Sequence, residues 1–210
     1  MKSDHGSIIL LVSMDNSGGA PRLVLASASP RRMELLRAAG YAFDVVPAGV
    51  DERRLPSEIA SDYVARLAEA KVAAVMSAAT RDRQILGADT VVVVDGRVLG
   101  KPADNDDAAD MLRLLSGRAH DVLTGVALRL GDRSVRAVER TIVHFDTLTD
   151  EQIRWYVASG EPRDKAGAYA VQGLGSRFVF RIEGSYSNVV GLPITVVGRL
   201  LQELATDWAG

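Results

Sequence analysis

The chain has 210 residues, no cysteine and three histidines, and its formal net charge is −2 from 25 Lys and Arg against 27 Asp and Glu. This length fits one domain, and 47% apolar with 25% charged residues excludes a disordered or collagenous protein. The lack of cysteine excludes a thiol nucleophile, a disulfide framework and a cysteine-ligated zinc site. The near-neutral charge argues against a protein that coats nucleic acid, and no apolar run approaches the roughly 20 residues of a membrane span.

The first 20 residues differ from the rest. The apolar run from Ile8 to Val12 is short for a signal peptide, follows an acidic residue, Asp4, and lacks a clear cleavage site. We therefore interpret residues 1–20 as a flexible extension, with Met14 as an alternative start, and residues 21–210 as one folded domain. We expect a cytoplasmic location and no membrane partner.

Strands and helices alternate along the rest of the chain, which predicts an α/β layered fold. In chain order the pattern predicts strand 22–26, helix 30–39, strand 43–46, helix 57–78, strand 91–94 entered through 85–90, strand 97–99, helix 105–115, a hairpin of 120–130 and 134–145, helix 149–158, strands 178–182 and 188–190, and a last helix from 193 to near 208.

Local signals support several of these elements. Asp95-Gly96 is typical of a two-residue hairpin turn, and Thr149 with Gln152 forms a capping box at a helix start. On the 57–78 helix the spacing predicts one buried stripe, made of Tyr63, Leu67, Ala70 and Ala74.

The first candidate site is the segment 27–32, Ser-Ala-Ser-Pro-Arg-Arg, between the first strand and the first helix. Free N–H groups and the dipole at a helix start favour an anion. The two arginines oppose that dipole, and a bound polyphosphate would compensate because each guanidinium can fork onto two oxygens. The alternative interpretation is a solvated basic helix start.

Three further segments carry charged groups. Asp89 lies in apolar sequence, where an acid is costly unless it is paired or metal-bound. Asp51-Glu52 offers the hard oxygens that suit magnesium or manganese, and Lys101, beside the stiff Pro102, could reach a phosphate. Each segment has an alternative interpretation. Asp89 could bond only to the backbone, Asp51-Glu52 could be a solvated turn, and Lys101 could be an exposed lysine without a ligand.

The glycine-rich, charged stretch 160–176 is expected to be a functional loop that lines a pocket. Within it, the amide of Gln172 could read a base edge, since it offers both a donor and an acceptor. The later turn at 185–193 is more typical of packing and capping.

Three familiar motifs are excluded. The segment 96–102 has three residues between its glycines where a P-loop has four, and Pro102 stands where the P-loop needs Ser or Thr. Gly173-Leu174-Gly175 lacks the third glycine of a dinucleotide fingerprint, because that position is Phe178. No G-x-S-x-G nucleophile elbow occurs.

Taken in order, the motifs resemble the Maf family of nucleoside triphosphate pyrophosphatases, from about Leu23 to Leu201. The matching segments are 25–32, 87–90, 100–102, 164–169 and 187–193. Each segment alone is a weak signal, but the set in this order and spacing is specific. The resemblance implies a fold like that of the inosine triphosphate pyrophosphatases, with a twisted mixed sheet, flanking helices and two lobes around a central cleft, and it makes residues 21–210 a single catalytic domain.

The resemblance also implies a reaction. A hydrolase acting on acid anhydrides would split a nucleoside triphosphate between its α and β phosphates with the help of Mg²⁺ or Mn²⁺. Thr90 and Gln172 resemble the branch that acts on dTTP and UTP, and the branch that acts on 7-methyl-GTP differs at these positions. A link of the family to septum formation leaves an alternative, a nucleotide-binding regulator of cell division without significant turnover. A homodimer is compatible with the resemblance.

Residue by residue, the resemblance implies three sets of site residues. The substrate-binding set is Ser27, Arg31, Arg32, Thr90, Lys165 and Gln172. The catalytic set is Glu52, Asp89 and Lys101, and the metal ligands are Glu52 and Asp89. Asp89 is implied as the proton acceptor, although from the residues it could act either as a direct base or through a metal. A phosphatase or a nucleotidyltransferase remains a rival reading, which the reaction products would separate.

Overall fold

The computed structural model describes residues 23–77 and 80–206, with no side-chain description at 206. Its strands are β1 (Leu23–Leu25), β2 (Phe43–Val45), β3 (Gln84–Val94), β4 (Arg97–Leu99), β5 (Ala119–Leu130), β6 (Arg133–Phe145) and β7 (Val179–Glu183). Its α-helices are α1 (Pro30–Ala38), α2 (Ala60–Ala74), α3 (Asn105–Leu115), α4 (Asp150–Ala158), α5 (Tyr186–Val190) and α6 (Ile194–Thr206). Short 3₁₀ helices occupy Glu161–Asp164, Ala166–Ala168 and Leu174–Phe178.

The strands form one seven-stranded mixed sheet. Its order is β2-β1-β3-β5-β6-β7, and β4 also pairs with β3. β1 is parallel to β2 and β3, whereas the other pairings are antiparallel. The predicted α/β class, a mixed sheet with flanking helices, is confirmed.

One edge of β3 is open at its centre. β5 pairs along one edge of β3, so β1 and β4 share the other edge, where Leu25 lies opposite Leu86 and Leu99 lies opposite Val92. Between these pairings, residues 87–91 have no strand partner at this edge within the described chain; we call this stretch the open edge of β3. β1 runs parallel to β3 and β4 antiparallel, so both strands end at the open edge and the loops that follow them converge there.

Helices cover both faces of the sheet. α2 packs on one face through residues such as Val72. On the other face α1 and α6 bury Ala88 near β1, while α3 and α4 bury Val92 farther along β3. Thr90 lies between these two groups of helices, which agrees with the predicted two lobes.

Two glycines let α2 lie directly on the sheet. A Cβ atom at Gly87 would lie 2.3 Å from the carbonyl oxygen of Ala68, and one at Gly125 would lie 2.3 Å from that of Val64. Only hydrogen at these positions allows the helix backbone to approach the strands so closely. As a result, side chains of α2 reach the centre of β3.

Most predicted elements end within one residue of the observed ones. The predicted strand 188–190 is wrong, because these residues belong to α5. Ser185 caps this helix by accepting the N–H of Asn188 at 3.3 Å, and Gly191 ends it at φ +126°. A short Val-Val run fits a strand or a helix equally well, and the Ser cap decides for a helix.

Two other predicted elements and one predicted buried stripe also differ from the structure. The predicted helix 57–78 begins later, at Ala60, and ends at Ala74, while residue 78 lies outside the described residues. Residues 85–94 form one continuous strand rather than a lead-in and a strand. The buried stripe of α2 is also shifted by one residue from the predicted one, and its buried members are Val64, Leu67, Ala68, Lys71 and Val72.

The predicted extension, residues 1–20, lies outside the described residues. Among the helices of the described chain, none is both long and apolar enough to cross a membrane.

We expect Gly125→Ala to destabilise the protein by about 2 kcal/mol or more, because the new methyl group would push α2 off β5. Chemical denaturation of the two proteins measures this loss. Gly49→Ala is the matched control, since a Cβ there meets nothing within 4 Å. Equal stability of Gly125→Ala and the wild type would contradict the close packing of α2.

Candidate active site

A cavity of about 560 Å³ lies at the open edge of β3. The loops after β1 and β4, the start of α1, and the segments 164–172 and 189–191 contribute to its walls. Its volume is in the range of small-molecule sites. All the predicted site residues line it together: Ser27, Arg31, Arg32, Glu52, Asp89, Thr90, Lys101, Lys165 and Gln172.

The cavity wall is positively charged, although the whole chain is not. Five cationic side chains line it, namely Arg31, Arg32, Lys71, Lys101 and Lys165. Three carboxylates face them, namely Glu52, Asp89 and Asp164. The wall therefore has a formal charge of +2 within a chain of charge −2, which suits a polyanion that also needs acidic groups nearby.

The buried ammonium of Lys71 joins two of these carboxylates. Its Nζ lies 2.6 Å from Oδ1 of Asp89 and 2.8 Å from Oε1 of Glu52. Lys71 and Asp89 are 7% and 8% exposed, so each needs the other as a counter-charge. Tyr63 adds a second tie, because its hydroxyl donates to the carbonyl oxygen of Glu52 at 2.6 Å. The acidic pair is thus held from α2.

The pKa of Glu52 reflects this arrangement. Partial burial raises the pKa, but the hydrogen bond from Lys71 and the charges of Lys71, Lys101 and Arg32 outweigh it and lower the pKa below its ordinary value. Glu52 is therefore ionised at neutral pH.

Sequence reasoning missed Lys71. Its signal was present, because a lysine three residues after Ala68 and seven after Val64 falls on the apolar stripe of α2. The predicted stripe lies one residue away from the observed one and does not include Lys71. A buried lysine on an apolar helix face indicates a buried acidic partner.

Arg32 is buried and bonded mainly to other parts of the protein. The residue is 8% exposed, and its guanidinium makes four hydrogen bonds with groups around the open edge. These are from Nε to Gly191 O at 2.9 Å, from Nη1 to Ala88 O at 2.8 Å and Ser27 Oγ at 3.2 Å, and from Nη2 to Thr90 Oγ1 at 3.2 Å. Of its five N–H groups, one remains for a ligand. Burial lowers the pKa of Arg32, and the charge of Asp89 opposes that effect.

The hydroxyl of Thr90 is also engaged by the protein. Besides Arg32, it contacts Thr124 Oγ1 at 2.9 Å and the carbonyl oxygen of Gly191 at 3.3 Å. Its place on the cavity floor is therefore fixed, with little hydrogen-bonding capacity left for a ligand.

Arg31 and Lys165 share Asp164 as an ion-pair partner. Arg31 Nη1 lies 3.5 Å from Oδ2 of Asp164, and Lys165 is ion-paired with the other carboxylate oxygen. Burial raises the pKa of Asp164, but Lys165 and then Arg31 lower it overall. Asp164 thus holds the two cations near each other in the cavity wall, where an anion in the cavity can reach them.

Glu52 and Asp89 fit a hard divalent cation. Lys71 takes one oxygen of each carboxylate, and the described residues form no further hydrogen bond to the others. No group of three His, Cys, Asp or Glu side chains in the described chain could hold a metal. Mg²⁺ commonly uses only one or two carboxylates, with waters and substrate phosphates as its other ligands, so the pair fits such an ion.

Comparisons with known proteins identify the family of the chain. Residues 22–204 match the Maf-like protein family. The chain belongs to this family. The chain is 54% identical over 187 residues to a dTTP/UTP pyrophosphatase of Anaeromyxobacter dehalogenans, covering 87% of this chain and 94% of the relative. It is 51% identical over 179 residues to a dTTP/UTP pyrophosphatase of Escherichia coli O157:H7, covering 85% and 91%.

A third relative, a dTTP/UTP pyrophosphatase of Hahella chejuensis, is 50% identical over 191 residues, covering 90% of this chain and 95% of the relative. Among solved structures, the Staphylococcus aureus Ham1 protein matches with a TM-score of 0.40 and 14% identity, covering 61% of this chain and 72% of that one. That structural similarity is too low to carry an argument about the fold.

In this Maf-like chain we expect Lys71→Met to raise the pKa of Glu52, because the two carboxylates lose their shared cation and repel each other. NMR titration of the side-chain carboxyl groups measures this shift. Glu58 is an internal control, because its hydrogen bond with Arg66 lowers its pKa to about 2 independently of Lys71.

The lowered pKa of Glu52 also makes the stability of the fold depend on pH. The folded-state pKa of Glu52 is lowered, so Glu52 stabilises the wild type above its unfolded pKa of about 4.3 and loses this effect as pH falls through the folded value. Lys71→Met removes that contribution. An unchanged pKa of Glu52 in the variant would contradict the role of Lys71.

Proposed function

We propose that the protein is a nucleoside triphosphate pyrophosphatase that hydrolyses dTTP and UTP at the α–β phosphate bond, releasing the monophosphate and pyrophosphate. The observation that carries this proposal is the Lys71-held pair of Glu52 and Asp89 facing a group of cations in one cavity. A site for anion binding alone gains nothing from carboxylates in its wall. The name shared by relatives of 50–54% identity supports the substrate class.

The cations would hold the triphosphate, which carries about four negative charges. Arg31, Lys101 and Lys165 reach the cavity from three separate segments and can neutralise different phosphates. Arg32 adds its one remaining N–H, and Ser27 lies beside it at the start of α1, where free backbone N–H groups favour anions. Catalysis of phosphoryl transfer depends mostly on such positioning and charge.

In the hydrolytic step, the oxygen of a water attacks the α-phosphorus, and the bond from this phosphorus to the bridging oxygen breaks. The electron pair leaves with pyrophosphate, and Asp89 accepts the proton of the water. Lys71 and Tyr63 hold Asp89 and Glu52 in place. A Mg²⁺ or Mn²⁺ ion bound by Glu52 and Asp89 would supply Lewis-acid stabilisation of phosphate charge.

Base recognition is assigned first to Gln172. Its side chain is exposed in the cavity wall and has no hydrogen-bond partner in the described part of the chain. A uracil or thymine ring presents both an acceptor and a donor, which a carboxamide can match. Thr90 would contribute through the shape of the floor, since its hydroxyl is already engaged.

Such an activity would remove unwanted triphosphates from the nucleotide pool of the cytoplasm. The competing function, a nucleotide-binding regulator of division without turnover, predicts binding but no products. A phosphatase predicts orthophosphate in place of pyrophosphate.

We expect purified protein with Mg²⁺ or Mn²⁺ to release monophosphate and pyrophosphate fastest from dTTP and UTP in a panel of triphosphates. Chelation of the metal should abolish turnover, because without a cation between them Glu52 and Asp89 repel the negatively charged phosphates. Asp89→Asn should lower kcat by at least about 100-fold and leave nucleotide binding measurable.

The control is Asp121→Asn, which alters an aspartate paired with Arg140 outside the cavity. Wild-type turnover in Asp89→Asn, or orthophosphate as the product, would overturn the proposal.

We expect Gln172→Glu to change base selectivity, because a carboxylate accepts hydrogen bonds but cannot donate to a uracil carbonyl. The ratio of kcat/KM for UTP over CTP should fall by about tenfold, since a carboxylate can accept from the amino group of cytosine. Gln202→Glu on α6 is the control for the added charge. An unchanged substrate profile would count against Gln172 as the base reader.

A further inference from the structure

The carboxylate of Glu161 is bound by the backbone of the segment that follows Gln172. Its Oε2 accepts the N–H of Leu174 at 2.9 Å, and its Oε1 accepts the N–H of Gly175 at 3.0 Å. These two successive N–H groups begin the 3₁₀ helix Leu174–Phe178, so Glu161 lies where an anion is favoured.

The hydroxyl of Tyr156 binds the same carboxylate and the other end of the segment. It donates to Oε1 of Glu161 at 2.7 Å and accepts the N–H of Ala170 at 3.0 Å. The ring of Tyr156 is fully buried and packs edge-on against the ring of Phe178, with 5.1 Å between the two ring centroids. The Tyr156–Glu161 pair is therefore anchored in the core rather than at the surface.

The pair explains why glycine is required at positions 173 and 175. A Cβ at Gly173 would lie 2.1 Å from Oε2 of Glu161, and one at Gly175 would lie 2.7 Å from the hydroxyl of Tyr156. Gly173 has an ordinary φ of −111°, so its lack of a side chain is required by the approach of the carboxylate and not by its backbone conformation.

The pair holds both ends of a short arch. Ala170 is attached at one end, Leu174 and Gly175 at the other, and Gln172 lies between them. Ala170 and Gln172 line the cavity. Burial raises the pKa of Glu161, but the two backbone N–H groups and Tyr156 lower it overall, so the carboxylate is ionised at neutral pH.

We propose that Glu161 and Tyr156 are positioning residues that hold the arch 170–175 so that Gln172 presents its amide to the base. This inference rests on the proposed function, because it deepens the account of how the same site selects its substrate. Neither side chain is required to touch the nucleotide. Loss of the pair should weaken base recognition and leave the hydrolytic groups, which lie on other segments, in place.

The test compares Glu161→Gln with the wild type, because the amide keeps one acceptor and loses the other. We expect the KM for UTP to rise about tenfold, as for the loss of one charge-assisted hydrogen bond, with kcat changed by less than about twofold. The preference for UTP over CTP should fall in parallel. Tyr156→Phe, which keeps the ring, should act in the same direction.

Hydrogen exchange without nucleotide measures the arch itself. We expect the amides of 170–175 to exchange at least about tenfold faster in Glu161→Gln. Glu183→Gln is the matched control, since Glu183 accepts hydrogen bonds from His144 and Arg181 outside the cavity. Tyr41→Phe is the control for Tyr156→Phe. Melting curves establish that each variant is folded.

A coupled pair of substitutions separates positioning from general damage. Gly173→Ala alone should raise the KM, because its methyl group displaces the carboxylate. In a Glu161→Ala background the same change should add little, since the space is already empty. Independent, additive effects would overturn the proposed contact.

Unchanged exchange in Glu161→Gln overturns the holding of the arch, and faster exchange with unchanged KM and selectivity overturns the positioning role. Failure of the wild type to hydrolyse UTP and dTTP overturns the proposed function, and with it the role in base selection, while the exchange result still decides whether the pair holds the arch.

Discussion

The whole site depends on the open edge of β3. β1 and β4 pair with the same edge of this strand and both stop short of its centre, so a strip of backbone is left without a strand partner. Unpaired backbone groups in a protein interior are costly, and Arg32 compensates by donating to the carbonyl oxygen of Ala88. The same guanidinium also binds Gly191, Thr90 and Ser27, which joins the segments around the cavity.

The second constraint is the close approach of α2. Gly87 and Gly125 bring the helix backbone onto the sheet, and this brings a buried ammonium to two carboxylates. A buried charge pair does not by itself stabilise a fold, because desolvation offsets the attraction. Here the ammonium of Lys71 holds Asp89 and Glu52 at fixed places beside the cations of the cavity wall, as the proposed hydrolysis requires. The arch 170–175 is held separately, from α4 and the turn after it, so the groups proposed for hydrolysis and for base selection are held by different parts of the fold.

Local sequence patterns were sufficient for most of the secondary structure. Thr149 with Gln152 forms the predicted capping box, and Asp95-Gly96 makes the predicted turn with both residues at positive φ. They failed at 188–190, where two valines fit either structure, and on α2, where a one-residue error in the stripe concealed Lys71. Such errors arise because the burial of a helix face depends on what packs against it, which the local pattern does not contain.

Sequence alone determined the residue types of the site and their order along the chain, from the serine and arginines after β1 to the amide of Gln172, together with the mixed α/β class. It also indicated that the predicted phosphate-binding cations and the acidic residues serve the same reaction. Only the tertiary structure decided which groups act on which. It placed Lys71 between Glu52 and Asp89, committed Arg32 and Thr90 mainly to protein partners, and bound Glu161 beneath the arch that carries Gln172. The reason is physical: apart from the bond of Arg32 to Ser27, these contacts join residues 13 to 159 positions apart, and pairings at such separations are set by strand register and helix packing.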